Sequence, residues 1–235
     1  MPANADRATT GAPNVARVKK AVVIAVVAVV ALGVGAWFAR DVWQEHQRCK
    51  TFGELATKFG TDPIGSGPLQ VAVIGDSYAE GMELDQPRHS WVATFASAAD
   101  ATVSTDAVSG TGFTNAGPCE QGDYVSRASP GADLLVLQGG LNDVGATDNA
   151  IREAACEVVG QVRSEVVIIG PPAAPARDRD EVVRIDNALE SATLRCGGQY
   201  VSTLDWDLTY TDGGLHMTPD GHVTFGTQVA ERIAR

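Results

Sequence analysis

The sequence predicts a three-layer α/β/α sandwich on a parallel sheet, preceded by one N-terminal transmembrane helix. Three observations carry that expectation. From Leu69 onward, short apolar runs alternate with longer segments of helical period. Strands separated by helices imply parallel βαβ units with right-handed crossovers. Upstream, Ala21 to Phe38, "AVVIAVVAVVALGVGAWF", contains no charge.

In chain order, Met1 to Lys20 is polar and rich in Ala, Asn, Thr and Pro, and reads as a disordered cytoplasmic tail, 1–20. Residues 21–38 follow as an anchor: as a helix rising about 1.5 Å per residue they nearly span a hydrocarbon core roughly 30 Å thick. Arg17, Lys19 and Lys20 precede this segment, whereas Arg40, Asp41 and Glu45 follow it with mixed sign. The positive flank favours a cytoplasmic N-terminus and an exported C-terminal portion. Val34-Gly35-Ala36 resembles a small-residue cleavage site, so a signal peptide and a secreted product remain the alternative to a membrane-anchored one. Residues 39–68 read as a juxtamembrane segment, with a short helix ending near Phe59, and a linker whose "GTDPIGSGP" is turn material.

The expected domain covers 69–235. Its strands are Leu69 to Ile74, Ala101 to Val108, Asp133 to Leu137, Glu165 to Ile169 and Gln199 to Leu204. One helix is read over Ile151 to Arg163, with Ile151, Ala154, Ala155, Val158, Val159 and Val162 on one face. A second covers Glu181 to Leu194, and a third Pro219 to Arg235.

The formal net charge of −11 argues against a nucleic-acid partner, which would need a basic face to neutralise phosphates. Export gives Cys49, Cys119, Cys156 and Cys196 an oxidising compartment. Four cysteines allow three pairings. The helices at 151–163 and 181–194 flank one strand and should lie side by side. Cys156 points away from its helix's apolar stripe and Cys196 ends the neighbouring helix, which makes a Cys156–Cys196 bridge reasonable and leaves Cys49–Cys119; unpaired thiols are the alternative.

Four stretches follow strand ends, where sites of open α/β sheets lie. "VAVIGDSYAEG" places Ser77 after the first strand of the domain, with Gly75 to permit a sharp turn and backbone N–H groups nearby. In "AVSGTGFTN", Gly110 and Gly112 would let the backbone approach a ligand, and Gly110 could offer an N–H to an oxyanion. In "VLQGGLNDVGA", Asn142 could donate its amide to the same charge, while Asp143 caps the next helix or holds the loop together. In "TDGGLHMTPDGH", His216 can return to the sheet edge as a base for Ser77, whereas His222 suits packing or capping. Each stretch alone is a plain turn.

In this order the four pieces resemble the SGNH hydrolase superfamily, the GDSL esterases and lipases. Gly75-Asp76-Ser77 matches its first block, Gly110 its second, Gly140-Leu141-Asn142-Asp143 its third and His216 its fourth. The resemblance, over roughly Leu69 to Arg235, implies a flavodoxin-like parallel sheet and hydrolysis of esters with no metal or other cofactor. It implies Ser77 as nucleophile, His216 as general base and then acid, and an oxyanion hole from the N–H groups of Ser77 and Gly110 and the side chain of Asn142. One departure stands out: three residues before His216, where the family has its aspartate, this chain has Gly213. The aspartate one place earlier, Asp212, is the expected third member; Asp205, Asp207 or a serine–histidine dyad are the alternatives.

These readings give an exported, membrane-anchored serine esterase acting on O-acyl esters, for which acylated envelope polysaccharide is the suggested partner. An O-acyltransferase using the same acyl-enzyme and a non-catalytic envelope-binding module on the same scaffold are the competing classes. The displaced aspartate is the one feature that favours the last.

Overall fold

The computed structural model describes residues 15–119, 121–128 and 131–233. It divides into two compact units, Met1–Gln47 and Arg48–Arg235. The expected disordered tail lies outside the described residues as far as residue 14; from Val15 the chain is helical. Helix α1 runs without a break over Val15–Phe59, so the anchor and the short juxtamembrane helix are one element. In the first unit its large apolar side chains, among them Val22, Ile24, Leu32, Trp37 and Phe38, are exposed. This is the one helix among the described residues long and apolar enough to cross a membrane, with a mean hydropathy of 2.7. A helix of this length, apolar on every side and near the N-terminus, is compatible with a signal anchor or a signal peptide.

The second unit is built on a six-stranded sheet in the order β1-β3-β2-β4-β5-β6. The strands are β1 Ile64–Gly65, β2 Leu69–Gly75, β3 Ala101–Ala107, β4 Leu134–Gln138, β5 Glu165–Ile169 and β6 Gln199–Val201. Five are parallel; β1 pairs antiparallel with β3 at the edge. This two-residue strand corrects the reading of 60–68 as linker alone. It lies between Pro63 and Pro68, which limit how far it can run, and a short edge strand offers little to an invading partner. The last strand is shorter than expected because the chain turns away at Ser202, where the side chain bonds Asp186.

Helix α3, Trp91–Ala98, packs with α7, Pro219–Ile233, on one face; α5, Asp148–Gln161, and α6, Arg179–Arg195, pack together on the other. Two short helices, α2 (Ser77–Glu80) and α4 (Tyr124–Arg127), complete the set. Along β4 and β5, Leu134, Val136, Val167 and Ile169 enter the first core, whereas Leu135, Leu137, Val166 and Ile168 enter the second. Burial on both faces explains why these strands read as unbroken apolar runs. Helix α3 escapes the sequence reading because Trp91, Val92, Phe95 and Ala96 are buried in a helix barely two turns long, too short for a period to register.

Both disulfides form: Cys49–Cys119 with Cα atoms 5.5 Å apart and Cys156–Cys196 at 5.4 Å. The second ties α5 to the end of α6, on the shared face the topology requires.

Candidate active site

The chain leaves β2 at Gly75 and turns directly into α2. Gly75 is needed here for space: a Cβ would stand 2.4 Å from that of Ala79. Its backbone does not take the left-handed conformation, so the expected conformational role gives way to close packing. Asp76 caps α2, its Oδ1 accepting the Tyr78 N–H at 2.9 Å. Ser77 therefore opens the helix at the carboxyl edge of the sheet, beside the point where strand order reverses around β2. Burial raises the Asp76 carboxyl to about 7, against the opposing pull of the Tyr78 N–H.

His216 arrives from the far end of the chain. Thr211 N–H donates to the His216 carbonyl at 2.9 Å, and Tyr210 and Met217 form an antiparallel bridge, so residues 211–216 make a narrow loop. The Tyr78 hydroxyl donates to Leu215 O at 2.5 Å and pins this loop to the helix that starts at Ser77. His216 Nε2 then lies 3.2 Å from Ser77 Oγ.

The other imidazole nitrogen corrects the sequence reading. His216 Nδ1 lies 2.8 Å from Glu83 Oε1, and Thr211 Oγ1 donates to Glu83 Oε2 at 2.9 Å. No hydrogen bond joins Asp212 to His216 among the described residues. Asp212 is exposed at the tip of the loop, where Gly214 N–H donates to Thr211 O. The added residue is absorbed as a turn that carries the carboxylate outward. Asp205 is spent on an ion pair with Arg179 at 3.6 Å. Glu83 has φ +68°, an uncommon conformation for a residue with a side chain, which the contacts to Thr211 and His216 help to hold. Its hydrogen bond with His216 holds the carboxyl below its ordinary value, so it is ionised at neutral pH. With Nδ1–H donating to Glu83, Nε2 is left with the lone pair that faces Ser77. Glu83 carries no signal in the sequence: it sits six residues after Ser77 in an acidic turn, far from the histidine segment.

Ser77, Ser109, Gly110, Asn142 and His216 line one pocket, together with Met82, Leu215, Arg48, Phe52, Pro118 and Arg177. Gly110 has φ +82°, and Pro118 Cδ would lie 2.9 Å from a Cβ there, so conformation and space both select glycine. Its neighbour Ser109 is fixed by Glu80 of α2, whose Oε2 accepts both the Ser109 N–H at 2.8 Å and the hydroxyl at 2.5 Å. Asn142 Nδ2 donates to Thr111 O at 2.9 Å. Asp143 holds loops together and does not cap α5, which Thr147 caps. Its carboxylate accepts from Phe113 N and from the N–H and hydroxyl of Thr114. Gly112 makes room for that carboxylate, which would stand 2.5 Å from a Cβ, and so serves a protein side chain where a ligand was expected. His222 is buried and accepts the Trp91 N–H through Nδ1 at 3.1 Å, satisfying an open donor at the start of α3. Burial lowers it to about 4, which keeps it a neutral acceptor. Among the described residues no cluster of His, Cys, Asp or Glu has the arrangement of a metal site.

The fold has known counterparts. Est24, a carbohydrate acetylesterase from Sinorhizobium meliloti, superposes with a TM-score of 0.57 at 16% identity, covering 70% of this chain and 97% of its own. The native aryl esterase of M. smegmatis gives 0.57 at 17% identity, with the same coverages. A carbohydrate esterase family 2 enzyme with its carbohydrate-binding domain, from Corynascus thermopiles (Myceliophthora fergusii), gives 0.52 at 20% identity, covering 73% and 68%. Comparison with curated proteins finds no match at the level of sequence. The model of the GDSL-like lipase/acylhydrolase family matches residues 73–223, well over half of the sequence, and the chain belongs to that family as an SGNH-type carboxylic ester hydrolase.

Proposed function

We propose that this protein is an exported, membrane-anchored serine esterase that removes O-acyl groups from cell-envelope glycans through an acyl-enzyme formed on Ser77. The observation that carries the reading is His216, with one nitrogen 3.2 Å from Ser77 Oγ and the other 2.8 Å from Glu83. In this mechanism Nε2 takes the Ser77 proton as Oγ attacks the acyl carbon. Glu83, in place of Asp212, holds the tautomer and balances the charge on the imidazolium. The N–H groups of Ser77 and Gly110 and the amide of Asn142 stabilise the oxyanion. His216 then gives its proton to the departing alcohol, and water, activated by the same nitrogen, releases the acid and restores Ser77. With a carboxylate on the imidazole, the displaced aspartate no longer weighs for a non-catalytic module.

The glycan assignment draws on the carbohydrate acetylesterases among the structural neighbours, and on the apolar helix that would hold the domain beside the envelope. The test is fluorophosphonate labelling and acetyl-ester hydrolysis by the full chain and by Ser77→Ala. Labelling and turnover should both depend on Ser77; hydrolysis that survives Ser77→Ala would defeat the reading.

A further inference from the structure

The charge of the pocket is opposite to that of the protein. In a chain of net charge −11, the charged side chains lining the pocket around Ser77 are Arg48 and Arg177, with His216 the only other titratable group and no carboxylate among the described residues that line it. Neither arginine forms an ion pair among the described residues. Arg177 is half-buried; its Nε donates to Leu141 O at 3.3 Å, beside Asn142, which leaves its terminal nitrogens uncommitted among the described residues. Arg48 is exposed, so it stands on the solvent side of the pocket.

Arg48 is not a passing surface residue. It lies one position before Cys49, which is bonded to Cys119, next to the Pro118 that packs on Gly110. Phe52, one helical turn on, reaches within 3.8 Å of where a Gly110 Cβ would stand. The last turns of α1 are thus fastened to the loop that carries the proposed oxyanion donor, and they contribute both a ring and a guanidinium to the wall. A guanidinium offers paired donors matched to carboxylate and phosphate oxygens.

We infer that Arg48 and Arg177 form an anion subsite that selects esters whose alcohol portion carries a carboxylate or phosphate, such as an O-acylated acidic sugar. This rests on the esterase reading and adds the charge of its substrate. The acyl group would occupy the end nearest Ser77 and Asn142, and the charged alcohol would lie toward the arginines.

The test uses the full chain in an uncharged detergent and an acetylated methyl glucuronoside, prepared as the free carboxylate and as its neutral carboxamide. Binding is measured by calorimetry in the Ser77→Ala background, so that no turnover is required. The carboxylate should bind about tenfold more tightly than the carboxamide at low salt, and the ratio should shrink as ionic strength rises. Arg48→Gln with Arg177→Gln should bring the ratio near one, and the two lysine variants should restore part of it. Equal binding of both forms, no binding of either, or a ratio that survives the double glutamine variant would each overturn the subsite. Acetate release from both forms by the chain with Ser77 intact is read separately. Absence of release from the carboxamide and from the carboxylate alike would count against the esterase reading, while the binding ratio still reports on the arginines.

Discussion

Glu83 shows how a carboxylate can reach a histidine distant in sequence from beside the proposed nucleophile. Ser77 and Glu83 belong to one turn of chain, and α2 with the turn after it sets their separation before His216 arrives. Replacing Glu83 by Gln should lower kcat by about 10²- to 10⁴-fold in ester hydrolysis, since the wrong tautomer and an unbalanced imidazolium are costly. Asp212→Asn should stay close to the unmodified enzyme; the reverse pattern would return the role to Asp212. Asp76 makes a second prediction. Its carboxyl ionises near pH 7 in the fold, against 3.8 ordinarily. The unfolded chain therefore releases this proton first, and the contribution of Asp76 to stability is lost as pH rises from about 4 to 7. Asp76→Asn keeps the cap on α2 without a charge. Its unfolding free energy should gain on that of the parent across this window, with a ceiling of about 4 kcal/mol, and its thermal midpoint should rise relative to the parent accordingly. A gap constant with pH would show that the carboxyl is not the cause. Ser77, Gly110, Asn142 and His216, which line one pocket, could be picked out as candidates because each sits in a short word, the first three just after strands and His216 between the last strand and the last helix. Glu83 could not: its partnership depends on a contact 133 residues away in sequence, and nothing local marks it.

At the scale of elements, the parallel strands were legible because burial on both faces leaves continuous apolar runs. Pro63-Ile64-Gly65 gave no such sign, for a two-residue edge strand has no period. Helix α1 was read in two pieces because its composition changes at Arg40 while its backbone does not. The two disulfides separate structure from function. Each closes a long loop, with sequence separations of 70 and 40, and loop-closure entropy assigns each on the order of 4 kcal/mol. Removing Cys156–Cys196 by paired serine substitution should lower the thermal midpoint with little change in kcat/KM, because it ties α5 to α6 on the far side of the sheet. Removing Cys49–Cys119 should lower both, because it fastens the wall that holds Arg48 and Phe52. Equal kinetic effects of the two removals would deny that wall its role.

For the whole molecule, the apolar helix predicts where the chain is found. With an uncleaved anchor, the full-length protein should stay with the membrane fraction after alkaline carbonate extraction, and protease added outside the cell should reach the domain that begins at Arg48. A shortened product in the medium would identify the helix as a removed signal. The sequence showed the apolar length and the positive flank; cleavage is decided by a protease and leaves no mark in the fold. The same geography bears on Cys49–Cys119. A reducing cytoplasm does not let that bond persist, whereas an oxidising exterior does. On the proposed export the bond would form only after transit: a chain still inside the cell would have its serine and histidine but not the fastened wall, and the proposed selectivity would mature only after delivery.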